Sequence, residues 1–253
     1  MSWREYEAIA SKKYGKTLAR VRYLEKRICP NDLIWTRDTD GGYYLAKVNS
    51  PWEYYTNPSA QAADITNICR CRILKVPNVD DVPGKVIACF RSPMSIQRIR
   101  DSSTVQYSCY LWNELSKSPD YATSNTKEVD IFSLLSAEET EDVIFIYLQL
   151  NGWIVVPNSR KADTMRYEFY LINKETGGKA VVQVKTGGTQ VNPELWAASK
   201  EKVFLFQSKG NYTGSSRDNV QILYSQDIRQ FIFNNLDVMP STIRRWAEIT
   251  KNM

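Results

Sequence analysis

The stretch YEFYLINKETGGKAVVQVK, residues 167–185, decides how this chain reads. An acid, Glu168, stands at the start of one apolar run, Tyr167 to Ile172. The pair Gly177-Gly178 then reverses the chain. A second run, Ala180 to Val184, closes on Gln183-Val184-Lys185. Two adjacent antiparallel strands bring Glu168, Gln183 and Lys185 to one end of a hairpin. Positions 183 and 185 are two apart, so their side chains share a face. A carboxylate, an amide oxygen and an ammonium meeting there can hold a hard divalent cation and a phosphate oxygen. The bland alternative is a surface hairpin whose Glu168 and Lys185 form an exposed ion pair, worth about 0–1 kcal/mol.

Working outward, Ser136-Ala-Glu-Glu-Thr-Glu-Asp142 carries a cap residue and acids ahead of the run VIFIYLQL, residues 143–150, and then Asn151-Gly152. Acids in a first turn and an Asn-Gly stop predict a helix. Trp153 to Val156 reads as a short buried strand. Glu141 and Asp142 are neighbours and project about 100° apart on a helix. Glu141 shares a face with Ile144 and Leu148, which directs it toward the sheet.

Acidic helix, Gly-aromatic step Gly152-Trp153, strand acid Glu168 and Gln183-Val184-Lys185 together resemble the PD-(D/E)XK nuclease superfamily. The nearest look-alikes are its Mrr-type restriction endonucleases and the archaeal Holliday-junction resolvases. The resemblance spans residues 136–235. It implies a restriction-endonuclease-like αβββαβ core with a mixed central sheet, and catalysis by Glu168, Gln183, Lys185 and Glu141. It implies Mg²⁺, with Mn²⁺ as a substitute, held by Glu168, Glu141, Gln183 and Asp142. Two positions depart from the family pattern. The strand acid is Glu rather than Asp, and Gln183 stands where Glu is usual, which makes metal binding weaker or more dependent on Glu141.

Composition narrows the chemistry. The chain has 253 residues, 43% of them hydrophobic, enough for one large domain or two small ones. There is no His, which excludes His-Cys zinc sites and Ser-His-Asp hydrolysis. The five cysteines all precede residue 110, which suits a reducing compartment rather than a disulfide framework. No apolar run approaches the roughly 20 residues of a membrane helix, and no signal segment opens the chain. The expected location is the cytoplasm, with no membrane partner. Net charge is +5, and residues 1–30 hold eight Lys and Arg against three Glu. A basic helix of this kind suits a polyanion, or is an ordinary solvated face.

The N-terminal part reads differently. Residues 3–28 carry helical spacing, ended by Pro30-Asn31-Asp32. From there short strands follow, LIWTR (33–37), YYLAKV (43–48), the stretch 64–74 and KVIACF (85–90), joined by Asp/Gly turns. Asp32-Leu-Ile-Trp35, Tyr43 to Val48 and Trp52 resemble an SH3-like barrel of the Tudor or PWWP kind. The expected organisation is a basic helix at 1–30, a β-barrel recognition domain at 31–110, a linker at 111–127 and a nuclease-like domain at 128–253. This is a two-domain chain of α+β and α/β character.

Tyr43, Trp52 and Tyr54 are candidates for an exposed aromatic surface that stacks on a base, although aromatics in small barrels are more often core. Lys179, Arg98 and Arg100 complete the candidate nucleic-acid contacts. The function expected is a Mg²⁺-dependent DNA endonuclease of restriction or anti-phage defence. It would act on double-stranded DNA as a homodimer, with any defence-system partner unspecified. The alternative is a non-catalytic protein of nuclease-like fold that binds nucleic acid and reads modified DNA.

Overall fold

The structure, a computed structural model, describes residues 1–92, 94–122, 128–156, 167–216 and 218–253. In chain order the helices are α1 (Trp3–Tyr14), α2 (Ala19–Arg27), α3 (Pro58–Ala62), α4 (Gly84–Phe90), α5 (Ser102–Ser116), α6 (Ala137–Leu150), α7 (Ser225–Asn234) and α8 (Ser241–Asn252). The strands are β1 (Leu33–Arg37), β2 (Tyr43–Val48), β3 (Glu53–Tyr54), β4 (Asn67–Ile68), β5 (Cys71–Lys75), β6 (Trp153–Val155), β7 (Phe169–Asn173), β8 (Lys179–Lys185), β9 (Lys202–Gln207) and β10 (Val220–Leu223). None of the described helices is long and apolar enough to cross a membrane.

The chain divides into two compact units. One comprises residues 1–82, 92–100 and 105–124, the other 83–91, 101–104 and 125–253. The last division, between 124 and 125, falls within the expected linker 111–127, whereas 83–91 and 101–104, expected in the first domain, group with the second unit. The expected linker begins inside a helix: α5 runs to Ser116, and Tyr107, Leu111 and Trp112 along it are buried. Leu111 lies one turn beyond Tyr107 on the same helix face. Residues 123–127 of the expected linker lie outside the described residues.

In the first unit the expected barrel is absent among the described residues. A three-stranded antiparallel sheet, β1-β2-β5, stands beside a separate two-stranded pair, β3-β4. Strands two residues long give too few ladder bonds to close a barrel. The expected strand at KVIACF is instead α4, assigned to the second unit. Pro83 starts it, and Gly84 allows close approach, since a Cβ there would collide with the Ser136 backbone. The long N-terminal helix is also broken. Gly15 takes φ 53° and ends α1 before α2 begins.

Tyr43 is only 6% exposed, which corrects the exposed aromatic surface expected there. Trp52 and Tyr54 are half-buried beneath α1. Trp52 packs on Trp3 and Tyr6 at 5.0 and 5.4 Å between ring centres, and Tyr54 on Tyr6 at 5.3 Å. The Trp52 indole N–H donates to Asn67, whose amide donates to the Tyr6 hydroxyl. The polar tips of Trp52 and Tyr6 are thereby satisfied.

The second unit is built on a five-stranded mixed sheet of order β10-β9-β8-β7-β6. β6, β7 and β8 run antiparallel in turn, while β8, β9 and β10 are parallel. The hairpin between β7 and β8 turns through Lys174–Gly178, with Gly177 at φ 67°. The helix expected between the third and fourth strands is only a single 3₁₀ turn, Pro193–Trp196. β6 is an edge strand with Ile154 56% exposed, not the buried strand expected. α6 begins with a capping box, Ser136 and Glu139 satisfying each other's backbone N–H groups. It buries Val143, Ile144 and Leu148 and packs on β8.

Candidate active site

The hairpin register places the polar groups together. Phe169 pairs with Val182, and the Glu168 N–H donates to the Val182 carbonyl at 2.8 Å. Glu168 is thereby held beside Gln183 and Lys185 at the end of β8. The Gln183 amide donates to Glu168 Oε1 at 2.7 Å, and Lys185 Nζ donates to the same oxygen at 3.0 Å. Glu168 is 25% exposed and Lys185 39%, so the pair faces solvent from one side.

A hollow of about 140 Å³ opens beside this triad, lined by Glu168, Lys185, Glu141, Thr186 and Thr189 among others. Glu141 therefore reaches the strand ends, on the helix face it shares with buried Ile144 and Leu148. Asp142 is exposed and is not among the residues lining that hollow. The two acids ahead of them serve the helix start. Glu139 closes the capping box. Glu138, held low chiefly by its own backbone N–H and also by Arg91, pairs with that arginine at 3.2 Å.

Lys179 is not brought here. Lys179 begins β8 while Lys185 ends it, about 20 Å away at the usual strand rise. Arg98 and Arg100 are exposed and, like Tyr43, Trp52 and Tyr54, belong to the first unit.

One residue of the site went unread in the sequence. Gln207 ends β9 opposite Lys185 and is fully buried. Its Oε1 accepts from the backbone N–H groups of Lys209 and Asn211 at 2.7 and 2.9 Å. Its Nε2 donates to the carbonyls of Gly187 and Thr189 at 2.9 and 3.0 Å. All four hydrogen-bonding positions of the amide are used. The loop after Lys185 is thus fixed from below, and the Gly187 N–H also donates to the Ser208 hydroxyl oxygen. A Gln closing the run KVFLF was the one visible signal.

Nearby, Asp101 accepts from Lys209 Nζ at 2.6 Å. Burial alone would raise that carboxyl, but Lys209, the Thr104 N–H and Ser133 outweigh it and hold it below its ordinary range. Burial pushes the Tyr212 phenol up to about 12, so it stays protonated at neutral pH and offers no base.

The donor set suits a hard cation: two carboxylates, Glu168 and Glu141, with the Gln183 amide oxygen. Among the described residues no three His, Cys, Asp or Glu side chains gather. Comparison with protein-family models, with curated proteins and with solved structures returned no match to this chain.

Proposed function

We propose that this protein is a Mg²⁺-dependent DNA endonuclease of the PD-(D/E)XK type, acting in restriction or anti-phage defence. The observation that carries the proposal is the convergence of Gln183 and Lys185 on one oxygen of Glu168, with Glu141 lining the same hollow. A surface ion pair has no need of a second acid delivered from a helix.

Glu168 and Glu141, with the Gln183 amide oxygen, would hold the cation. When bound, Mg²⁺ supplies positive charge to the phosphate oxygens and makes a coordinated water more acidic. Lys185 orients the attacking water through its ammonium and offsets the negative charge that grows on the phosphate. Glu168 fixes Lys185 in place through the 3.0 Å pair. Gln183, bonded to the same oxygen, prevents the carboxylate from rotating away. The excess of Lys and Arg over acids supports a polyanionic substrate. Cutting both strands of a duplex requires two such sites, which a homodimer provides.

One observation favours a second reading, a nuclease-like fold that binds nucleic acid without cutting. Glu168 Oε1 is already satisfied by two donors within the chain. Plasmid nicking separates the two. The nuclease nicks with Mg²⁺, stops in EDTA and is silenced by Lys185→Ala. A binder retains plasmid and nicks under no condition.

A further inference from the structure

Lys185 also borders a second hollow, whose lining does not include Glu141. It measures about 310 Å³ and is walled by Gln183, Gln190, Asn192, Leu195 and Trp196 among others. That is the small end of the roughly 300–1,000 Å³ range of ligand pockets. Its apolar wall is built, not incidental. The turn Pro193–Trp196 is capped by Asn192, whose side chain accepts from the Glu194 N–H at 2.9 Å. The Trp196 carbonyl accepts from Asn219 at 3.1 Å. Val191 is clamped to the loop beyond β9 through Asn211 and Thr213. Trp196 is half-buried against the cluster of Val181, Val191, Val203, Leu205 and Val220, while Leu195 stands 71% exposed at the rim. Three amides, Gln183, Gln190 and Asn192, supply donors and acceptors around this aromatic wall.

We infer that this hollow takes a single unpaired nucleobase of the strand being cut, stacked on Trp196, while the phosphate beside it sits at Lys185. This rests on the nuclease reading of the Lys185 site. One ammonium borders both hollows, so a phosphate held there carries its neighbouring nucleoside to the mouth of the second. An indole face accepts any base by stacking, and side-chain amides read the hydrogen-bonding edge of an extruded base. Amides can read that edge only where it is not already paired with a complementary base. The preferred substrate is therefore a strand with an unpaired or easily extruded base next to the cut.

The test is binding in Ca²⁺, which supports binding without turnover. A short oligothymidylate is compared with an abasic oligomer of the same length and charge. Stacking of one base on an aromatic ring corresponds to about 5–150-fold in affinity. The wild type should bind the oligothymidylate at least about tenfold more tightly. Trp196→Ala should erase that difference, Trp196→Phe should keep most of it, and all three should bind the abasic oligomer alike. Equal affinity of the wild type for both oligomers, or a Trp196→Ala variant that keeps the difference, overturns the inference. Plasmid nicking by the wild type is read separately. Its absence sinks the nuclease reading, whereas base-dependent binding that ignores Trp196 sinks only the hollow.

Discussion

Two clusters in this chain tie polar groups to one another to opposite ends. Beneath α1, Trp3, Tyr6, Trp52 and Tyr54 turn their rings on one another, and the Asn67 amide links Trp52 to Tyr6. At the end of β8, Glu168, Gln183 and Lys185 also bond one another, but two hollows open beside Lys185. The first cluster spends its polar atoms holding an edge helix to a two-stranded ribbon. The second leaves a carboxylate and an ammonium facing accessible space, supported from beneath by a buried amide. Aromatic enrichment alone therefore does not mark a binding surface. Polar groups held in place at the rim of a hollow are the more discriminating sign.

The comparison breaks most visibly at α6. Glu141→Gln should lower cleavage by at least about a hundredfold, as expected for loss of a charge that stabilises the transition state. Asp142→Asn, altering an exposed neighbour, should cost far less. Cleavage rate against Mg²⁺ concentration distinguishes them, and a dead Asp142→Asn beside a normal Glu141→Gln would mean the helix presents the other acid.

The buried support comes next. Gln207→Leu strands two carbonyls and two N–H groups, each worth about 1–3 kcal/mol when left unsatisfied, with partial relief from water. We expect a loss of about 3 kcal/mol in urea unfolding, together with reduced cleavage. Unchanged stability would show that the loop after Lys185 holds its shape without this amide. Trp52→Ala should cost about 2 kcal/mol, below the roughly 3–5 kcal/mol of a fully buried aromatic, and should leave the kcat of cleavage unchanged. A fall in DNA affinity with no change in melting temperature would return this cluster to the list of binding surfaces.

How much of this was legible follows from which interactions are local. The capping box at Ser136 and Glu139 lies within four residues, so α6 could be read directly. The β7–β8 hairpin is marked by its own turn, and its period of two aligned Glu168, Gln183 and Lys185. The first unit misled because LIWTR and YYLAKV do pair as strands, yet the segments that would close a barrel are two residues long or helical. At KVIACF the deciding fact is the approach of Gly84 to Ser136, a contact between residues far apart in the chain. Gln207 was hidden for the same reason. Its bonds to the N–H groups at 209 and 211 are local, but the carbonyls at 187 and 189 reach it only through the parallel pairing of β8 with β9.

The smallest expected effect tests the support at Asp101. Its carboxyl is held below its ordinary value of 3.8 in the folded chain. A depressed pKa means stability that is present above the unfolded value and lost as pH falls through the folded one. Asp101→Asn should therefore lower the melting temperature modestly at neutral pH, and the gap to wild type should close below about pH 4. A gap that persists unchanged into acid would show that the hydrogen bonds, not the charge, carry the contribution.

The central claim is that Lys185 and Glu168 hydrolyse phosphodiester bonds with a bound divalent cation. Its most direct test is the plasmid nicking rate of the wild type and of Lys185→Ala, each in Mg²⁺, Ca²⁺ and EDTA, with folding verified by circular dichroism. The account predicts nicking by the wild type in Mg²⁺ alone and at least about a hundredfold loss in the variant. Undiminished nicking in EDTA, or by a folded Lys185→Ala protein, would contradict it.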